Sequence, residues 1–466
     1  MRLKTQRMYR YRTRLASLTV IAGLLGACAA TPYPEAVPQP AEAAPQSAEA
    51  VSQPVGAQFS GQVVPSIPPF ASSGHDAFDA WRDDFSKRAL QDGRNPAVVY
   101  DVLRDLKPLE IYLPKNPAVN AANKSAVSEQ AEFAKPVWEY LRTAVSDTRK
   151  TNGAEQLTQN LASFDEISAA YGVDKTAVAA IWGMETNFGS FIGDFDGPET
   201  LANMAVEGRR RSLAERELLA TMKIIEQGLA SRDQLVAGWA GAMGQTQFMP
   251  STYLAYGVDH TGDGNLDVWN TRADALASAA NYLSASGYVP DEPWGIEVLA
   301  PSEFDYALAD GSKRSAQGWA DLGLSPIAGG DLASLSGGSD RQARLWLPAG
   351  ATGPKYLLYK NFDVFLTYNR SNSYALAVGL LADAIGGKDG PVTPWPKHLP
   401  TLSRAQVREL QSGLNALGFD AGAVDGVAGN GTRGALQRFQ KARGLVADGY
   451  PSGEALKDVL GASGTN

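Results

Sequence analysis

One carboxyl stands in chemically suggestive company: Glu185, in the string Ile181-Trp182-Gly183-Met184-Glu185-Thr186-Asn187-Phe188-Gly189. Residues 175–187 have helical apolar spacing, with Asp174 placed to cap the start and Gly189 to terminate. Glu185 then occupies the final turn, where the helix dipole disfavours negative charge. Trp182, Met184 and Phe188 are near enough in sequence to desolvate it. Both effects raise a carboxyl pKa toward the range of a general acid, which is what glycosidic cleavage asks of its proton donor. A glutamate near a helix end is more often a solvated surface residue, so this helix alone does not decide the matter.

Two further strings bear on it. One is Ala240-Gly241-Ala242-Met243-Gly244-Gln245-Thr246-Gln247-Phe248-Met249-Pro250-Ser251; the other is Tyr368-Asn369-Arg370-Ser371-Asn372-Ser373-Tyr374. Read from its residues, Tyr-Asn-x-Ser is a strand-to-helix junction with an Asn or Ser cap. In order and spacing, however, the Glu185 string resembles the catalytic segment of the membrane-bound lytic transglycosylase B family. The second string resembles that family's second signature, and the third its C-terminal active-site stretch. The resemblance implies a lysozyme-like catalytic fold with Glu185 as the acid. It also implies that Gln247 and Asn369 bind sugar or orient Glu185, and that Tyr368 and Tyr374 line the cleft. One departure is Gly238, two residues before Ala240, where the family commonly carries Ser.

Hydrolytic glycosidases usually need two carboxyls. Between Glu185 and Gln247 stand Asp194, Asp196, Glu199, Glu207, Glu215, Glu217, Glu226 and Asp233, none in a family-like catalytic motif. The resemblance implies instead that Glu185 acts twice. It first protonates the oxygen between N-acetylmuramic acid and N-acetylglucosamine in the glycan strands of peptidoglycan. It then takes the proton of the muramoyl 6-hydroxyl, which closes a 1,6-anhydro ring. Neither metal nor water nucleophile is required. Two other readings remain: a hydrolytic muramidase, and a non-enzymatic lipoprotein that anchors the outer membrane to the wall.

A possible cation loop follows in Asp259, Thr261, Asp263 and Asn265, with Gly264 at the sixth position as in an EF-hand. Its twelfth residue is Asn270 rather than Glu, and Asp274 is a substitute ligand. A structural calcium and a metal-free Asx turn are both compatible with this pattern.

These residues need elements to position them. Helical periodicity begins near Asp76 and recurs over 131–146, 157–171, 175–187, 213–228 and 374–384, with β-rich runs between Trp294 and Tyr368. The expected class is mainly α (α+β): a helical catalytic domain over 74–388 with a small β-rich insertion. After a stiff Pro-rich linker, 389–400, comes a small three-helix module over 401–462. Its Val424-Asp425-Gly426 and Ala447-Asp448-Gly449 turns suggest an internal repeat. This segment resembles a peptidoglycan-binding type 1 domain, which would hold an enzyme on insoluble substrate.

The 466 residues, 44% hydrophobic, carry a formal charge of −8, which excludes a basic nucleic-acid footprint. Six basic residues precede an apolar run ending at Ala27, as in a signal peptide over 1–27. Its removal takes no acidic residue and lowers the formal charge to −14. Cys28, the single cysteine, follows Leu25-Gly26-Ala27, resembling a lipobox. That implies an acylated Cys28 in outer-membrane lipid, facing the periplasm of a Gram-negative cell, with 28–73 as a disordered Pro/Ala-rich tether.

Overall fold

The computed structural model describes residues 66–113, 136–399 and 401–464. The signal segment, Cys28 and most of the tether lie outside them. The first helices are α1 (Asp76–Gln91) and α2 (Pro96–Leu103). Phe78, Trp81 and Phe85 recur along one face of α1 and are buried, and the His75 ring accepts the Phe78 N–H to cap it.

Helix α3 (Val137–Ala144) starts directly after Pro136. The single helix expected over 157–171 is two: α4 (Asp147–Gln159) and α5 (Leu161–Tyr171). Asn160 divides them, with φ −120° and ψ 25°. Its side-chain amide donates to the Gln156 carbonyl at 2.8 Å, competing with the helical ladder for that acceptor.

Next comes α6 (Lys175–Thr186), whose N-cap is Asp174, as expected, but without a side-chain cap bond. The Asp174 carboxylate instead accepts the Tyr288 hydroxyl at 2.9 Å. Strand β1 (Phe195–Asp196) leads into α7 (Gly197–Glu207) and α8 (Arg211–Glu226); β2 (Val236–Ala237) pairs back with β1. Two more helices, α9 (Pro250–Tyr256) and α10 (Arg272–Ala285), precede the β-rich part.

That part is an antiparallel five-stranded sheet of β3 (Gly295–Leu299), β4 (Lys313–Ser315), β5 (Ser325–Pro326), β6 (Gln342–Trp346) and β7 (Tyr356–Leu358), in the order β4-β6-β7-β3-β5. Short helices α11 (Ala316–Asp321) and α12 (Leu332–Leu335) are inserted between strands. Leu345 pairs with Leu357 across the sheet, and both are buried with Val298 and Trp319.

Helices α13 (Lys360–Tyr368) and α14 (Asn372–Ile385) complete this unit. The Tyr-Asn-x-Ser junction therefore joins helix to helix rather than strand to helix. Its expected cap is present, since Ser371 Oγ accepts the Tyr374 N–H.

Helix α6 is buried on nearly every side, and α14 shares its core. Small residues dominate both: Ala177, Ala179 and Ala180 on α6, Ala375 and Ala377 on α14. The linker is tied back rather than free. The N–H groups of Val392 and Thr393 donate to Glu297, and the Trp395 ring meets Trp138 of α3.

The module comprises α15 (Arg404–Ala416), α16 (Asn430–Ala442) and α17 (Gly453–Ser463), around Leu410, Leu414, Leu436, Phe439 and Val459. It docks on the larger unit, where Asp448 accepts the Ala351 N–H at 2.9 Å. Among the described residues, no helix is long and apolar enough to cross a membrane.

Gly183 tests the packing at the end of α6. A Cβ there would lie 2.6 Å from Phe188 Cζ and 3.3 Å from Leu381 Cδ2. Overpacking of this kind costs about 1–3 kcal/mol, more than the ~1 kcal/mol an Ala gains over Gly in a helix. Gly183→Ala should therefore lower the thermal midpoint by several degrees in circular dichroism melts. An unchanged or raised midpoint would mean the Phe188 ring yields freely.

Candidate active site

Beyond Thr186, the chain turns through three consecutive left-handed residues: Asn187 at φ 50°, Phe188 at 61° and Gly189 at 74°. Only the last is a glycine, so the first two are strained, at about 1–2 kcal/mol each. The turn is held by Thr186 Oγ1, which accepts the Gly189 N–H at 2.9 Å, and by the Phe188 ring edge-on to Trp182 at 5.6 Å. Glu185 is half-buried in the last turn of the buried α6.

The three strings meet here. Thr186 Oγ1 donates to the Gln245 carbonyl at 2.6 Å, fastening the first to the second. The Tyr368 hydroxyl donates to the Thr246 carbonyl at 2.7 Å, fastening the third to the second. The Tyr374 hydroxyl donates to Glu185 Oε1, which closes the circuit. Burial, and after it the Glu185 charge, raises the pKa of both Tyr368 and Tyr374 well above the ordinary phenol value. Both phenols therefore stay protonated donors. Tyr282, stacked edge-on against Tyr368 at 5.3 Å, donates to the Thr367 carbonyl and braces the end of α13.

Gln247 also adopts a left-handed conformation, at φ 51°. Its amide donates to the carbonyls of Gly244 at 3.0 Å and Ile192 at 3.3 Å. A Cβ at Gly238 would lie 2.9 Å from Gln247 Oε1. The carboxamide thus occupies space that the first atom of a serine side chain would contest. Asn369 is 92% buried; its Oδ1 accepts the Ser371 N–H, and its Nδ2 has no partner among the described residues. Unpaired buried donors are costly and rare, and this one lies in the third string.

Most of the intervening acids are committed elsewhere. Asp196 caps α7 and pairs with Arg232; Glu199, whose pKa burial raises, accepts the Lys107 N–H. Glu207 pairs with Arg209, and Glu226 with Arg94. Burial pushes the Glu215 carboxyl up, but hydrogen bonds from Arg88, Trp81 and Arg211 outweigh it and hold the pKa at about 2. Glu217, buried, accepts the Ser251 N–H and hydroxyl, capping α9 from outside its own helix.

In the loop considered for calcium, the carboxylates face the backbone. Asp259 accepts N–H groups from Gly262 and Gly264 and the Thr261 hydroxyl. Asp263 accepts that of Asn265. The buried Asp274 accepts those of His260, Thr261 and Asp267. Among the described residues, no group of three His, Cys, Asp or Glu side chains converges on a point that could hold a metal.

Residues 77–383 match the model of the transglycosylase SLT domain. The chain belongs to that family. Residues 403–457 match the putative peptidoglycan binding domain. The chain is 31% identical over 255 residues to membrane-bound lytic murein transglycosylase B of Escherichia coli K12, spanning 53% of this chain and 66% of that relative. Its fold resembles SltB3 of Pseudomonas aeruginosa, solved in complex with NAG-NAM-pentapeptide, at a TM-score of 0.75 and 43% identity over 83% of this chain and all of that one. The E. coli lytic transglycosylase Slt35, in complex with calcium, is 25% identical with a TM-score of 0.53, covering 66% or more of each chain (68% of this one, 98% of that). The fold is thus the lysozyme-like one of the SLT family, followed by a helical peptidoglycan-binding domain.

The sequence pattern singled out Glu185 and Tyr374, which meet, but passed over the contacts that join the strings. Thr186, Gln245 and Tyr282 carried no signal beyond membership in, or distance from, the strings. Tyr374→Phe keeps the ring and removes the donor to Glu185. It should lower kcat on peptidoglycan roughly tenfold, the scale of one charge-assisted hydrogen bond, with the thermal midpoint nearly unchanged. Wild-type kcat in this variant would deny the hydroxyl any part in the reaction.

Proposed function

We propose that this chain is a lytic transglycosylase that cleaves the β-1,4 bond between N-acetylmuramic acid and N-acetylglucosamine in peptidoglycan, with Glu185 as its sole acid and base. The observation that carries this reading is the pairing of Glu185 with the Tyr374 hydroxyl at the meeting point of the three strings. Glu185 gives its proton to the glycosidic oxygen as the bond to C1 breaks. The resulting carboxylate accepts the proton of the muramoyl 6-hydroxyl, whose oxygen bonds to C1. Each proton lost is regained, and no water is consumed. Tyr374 orients the carboxyl through both steps, and the Asn369 amide and Gln247 hold the sugar. Tyr368 lines the cleft.

A muramidase would need a second carboxyl to activate water. The commitment of Asp196, Glu199, Glu207, Glu215, Glu217 and Glu226 to caps, backbone and ion pairs weighs against that alternative. The anchor reading leaves the pairing of the Tyr374 phenol with the half-buried Glu185 carboxyl without a use. The wall-binding domain and the lipobox at Cys28 support an enzyme held at the outer membrane and facing the periplasm.

No cofactor is needed for this reaction. The oxygens at Asp259, Thr261, Asp263, Asn265 and Asp274 are of the class calcium prefers. Their engagement with backbone N–H groups supports a loop that folds by Asx turns alone. Calcium added to chelator-treated protein should leave its thermal midpoint unchanged. A saturable rise would overturn that view.

The reaction itself is tested by mass spectrometry of muropeptides after digestion of sacculi. The wild-type chain should yield products one water lighter than hydrolytic ones, and Glu185→Gln should yield none. Full-mass reducing products would make the protein a muramidase, and no products from either would favour an anchor.

A further inference from the structure

The C-terminal module is built twice from one arrangement. In the first copy, Gln411 of α15 accepts the Gly426 N–H at 2.9 Å and donates to Asp425 Oδ1 at 2.9 Å; the same oxygen accepts the Val427 N–H. In the second, Gln440 of α16 accepts the Gly449 N–H at 2.8 Å and donates to Asp448 Oδ1 at 3.1 Å; that oxygen accepts the Tyr450 N–H. A Cβ at Gly426 would strike the Arg404 carbonyl at 2.8 Å, and one at Gly449 the Arg433 carbonyl at 2.6 Å. Arg404, Arg408, Gln411 and Asp425-Gly426-Val427 thus correspond to Arg433, Gln437, Gln440 and Asp448-Gly449-Tyr450.

The second copy is occupied by the chain itself. Asp448 Oδ2, the oxygen not used inside the turn, accepts the Ala351 N–H at 2.9 Å. Gln437 donates its amide to the Tyr306 carbonyl at 3.2 Å. Tyr450 covers Gly350, where a Cβ would come within 2.9 Å of the Tyr450 Cβ. This copy therefore grips peptide backbone: a carboxylate takes an N–H, a side-chain amide meets a carbonyl, and an apolar side chain covers a small residue.

The first copy carries the same frame with its contact residues exposed. Asp425 Oδ2 accepts no hydrogen bond among the described residues; the Arg404 charge acts on that carboxyl, and neither the Arg404 nor the Arg408 guanidinium makes a side-chain hydrogen bond or close ion pair there. Arg408 replaces Gln437, and its Nε would lie 3.3 Å from a Cβ at Gly426. Val427 replaces Tyr450; with Val424 it is exposed, at 37% and 45%. Exchanging a neutral amide for a guanidinium changes the preferred acceptor from a carbonyl to a carboxylate.

We propose that the first copy binds the peptide stems of peptidoglycan, with Asp425 taking a backbone N–H, Arg408 and Arg404 a stem carboxylate, and Val424 and Val427 covering the small side chains. This rests on the wall-acting function proposed above and extends it to the part of the wall that the module reads. The stem rather than the glycan is the match, because the twin site holds peptide backbone.

The test uses the full chain carrying Glu185→Gln, so that the substrate is not consumed, in cosedimentation with whole sacculi and with sacculi stripped of stems by an amidase. Asp425→Asn keeps the Oδ1 acceptor and turns the outer oxygen into a donor. Arg408→Glu reverses the charge and leaves the turn's own hydrogen bonds in place. Each should weaken binding to whole sacculi roughly tenfold, the scale of one charge-assisted contact, and leave binding to stripped glycan unchanged. Circular dichroism melts confirm that both variants fold. Unchanged binding to whole sacculi in both folded variants would overturn the proposal. So would an equal loss on stripped glycan, which would make the site a glycan reader. Because binding is read without turnover, this outcome is independent of whether the chain forms anhydro products.

Discussion

The antiparallel contact of α6 with α14 is the constraint on which the rest of the catalytic unit depends. Gly183 near one end of α6 meets Leu381, while Thr176 near the other meets the turn at Gly386. Alanines on both helices keep the buried core between them thin. This brings the first turn of α14 against the last turn of α6, which is where Tyr374 reaches Glu185. The hydrogen bond is short-ranged and the helices are rigid, so a slip of about 1 Å between them would cost the alignment that a proton transfer needs. The small residues that look featureless in the sequence are what set that distance.

Around this contact the fold spends conformational strain. Asn187, Phe188 and Gln247 are all left-handed without being glycine. Each lies within a few residues of an anchoring bond to the middle string: Thr186 to the Gln245 carbonyl, Gln247 to the Gly244 carbonyl. Strain of this kind persists where neighbouring contacts over-determine the backbone. Glu217 acts from outside, fixing the start of α9 through Ser251, the last residue of the middle string. The middle string is therefore fixed near both of its ends by polar contacts.

Periodicity and turn chemistry made the helical frame readable, together with the sheet strands between Trp294 and Tyr368 and the three-helix module. They erred where a side chain competed with the backbone or chose a distant partner. Asn160 breaks a helix whose apolar pattern runs on, because its amide takes the Gln156 carbonyl. Asp174 occupies a cap position yet serves Tyr288. Within the site, the resemblance marked Glu185 and Tyr374 by residue type, and these two side chains meet. Thr186 was not legible, because its partner is a main-chain carbonyl, and no residue pattern encodes which carbonyl will be near. Gly238 is the converse case: the end of the Gln247 side chain, nine residues on, lies against it.

The module extends the same argument to a duplicated unit. Both copies keep the Gln-to-Asp-Gly clamp, since without it the turn has buried N–H groups and no acceptor. The copies differ at positions that do not support the turn: Arg408 against Gln437, and Val427 against Tyr450. One copy has kept a neutral amide and an aromatic ring and fastens the module to the sheet-bearing unit through Tyr306, Gly350 and Ala351. The other carries more charge and less bulk at the matching positions. Docking through the second copy also sets where the first lies relative to the larger unit.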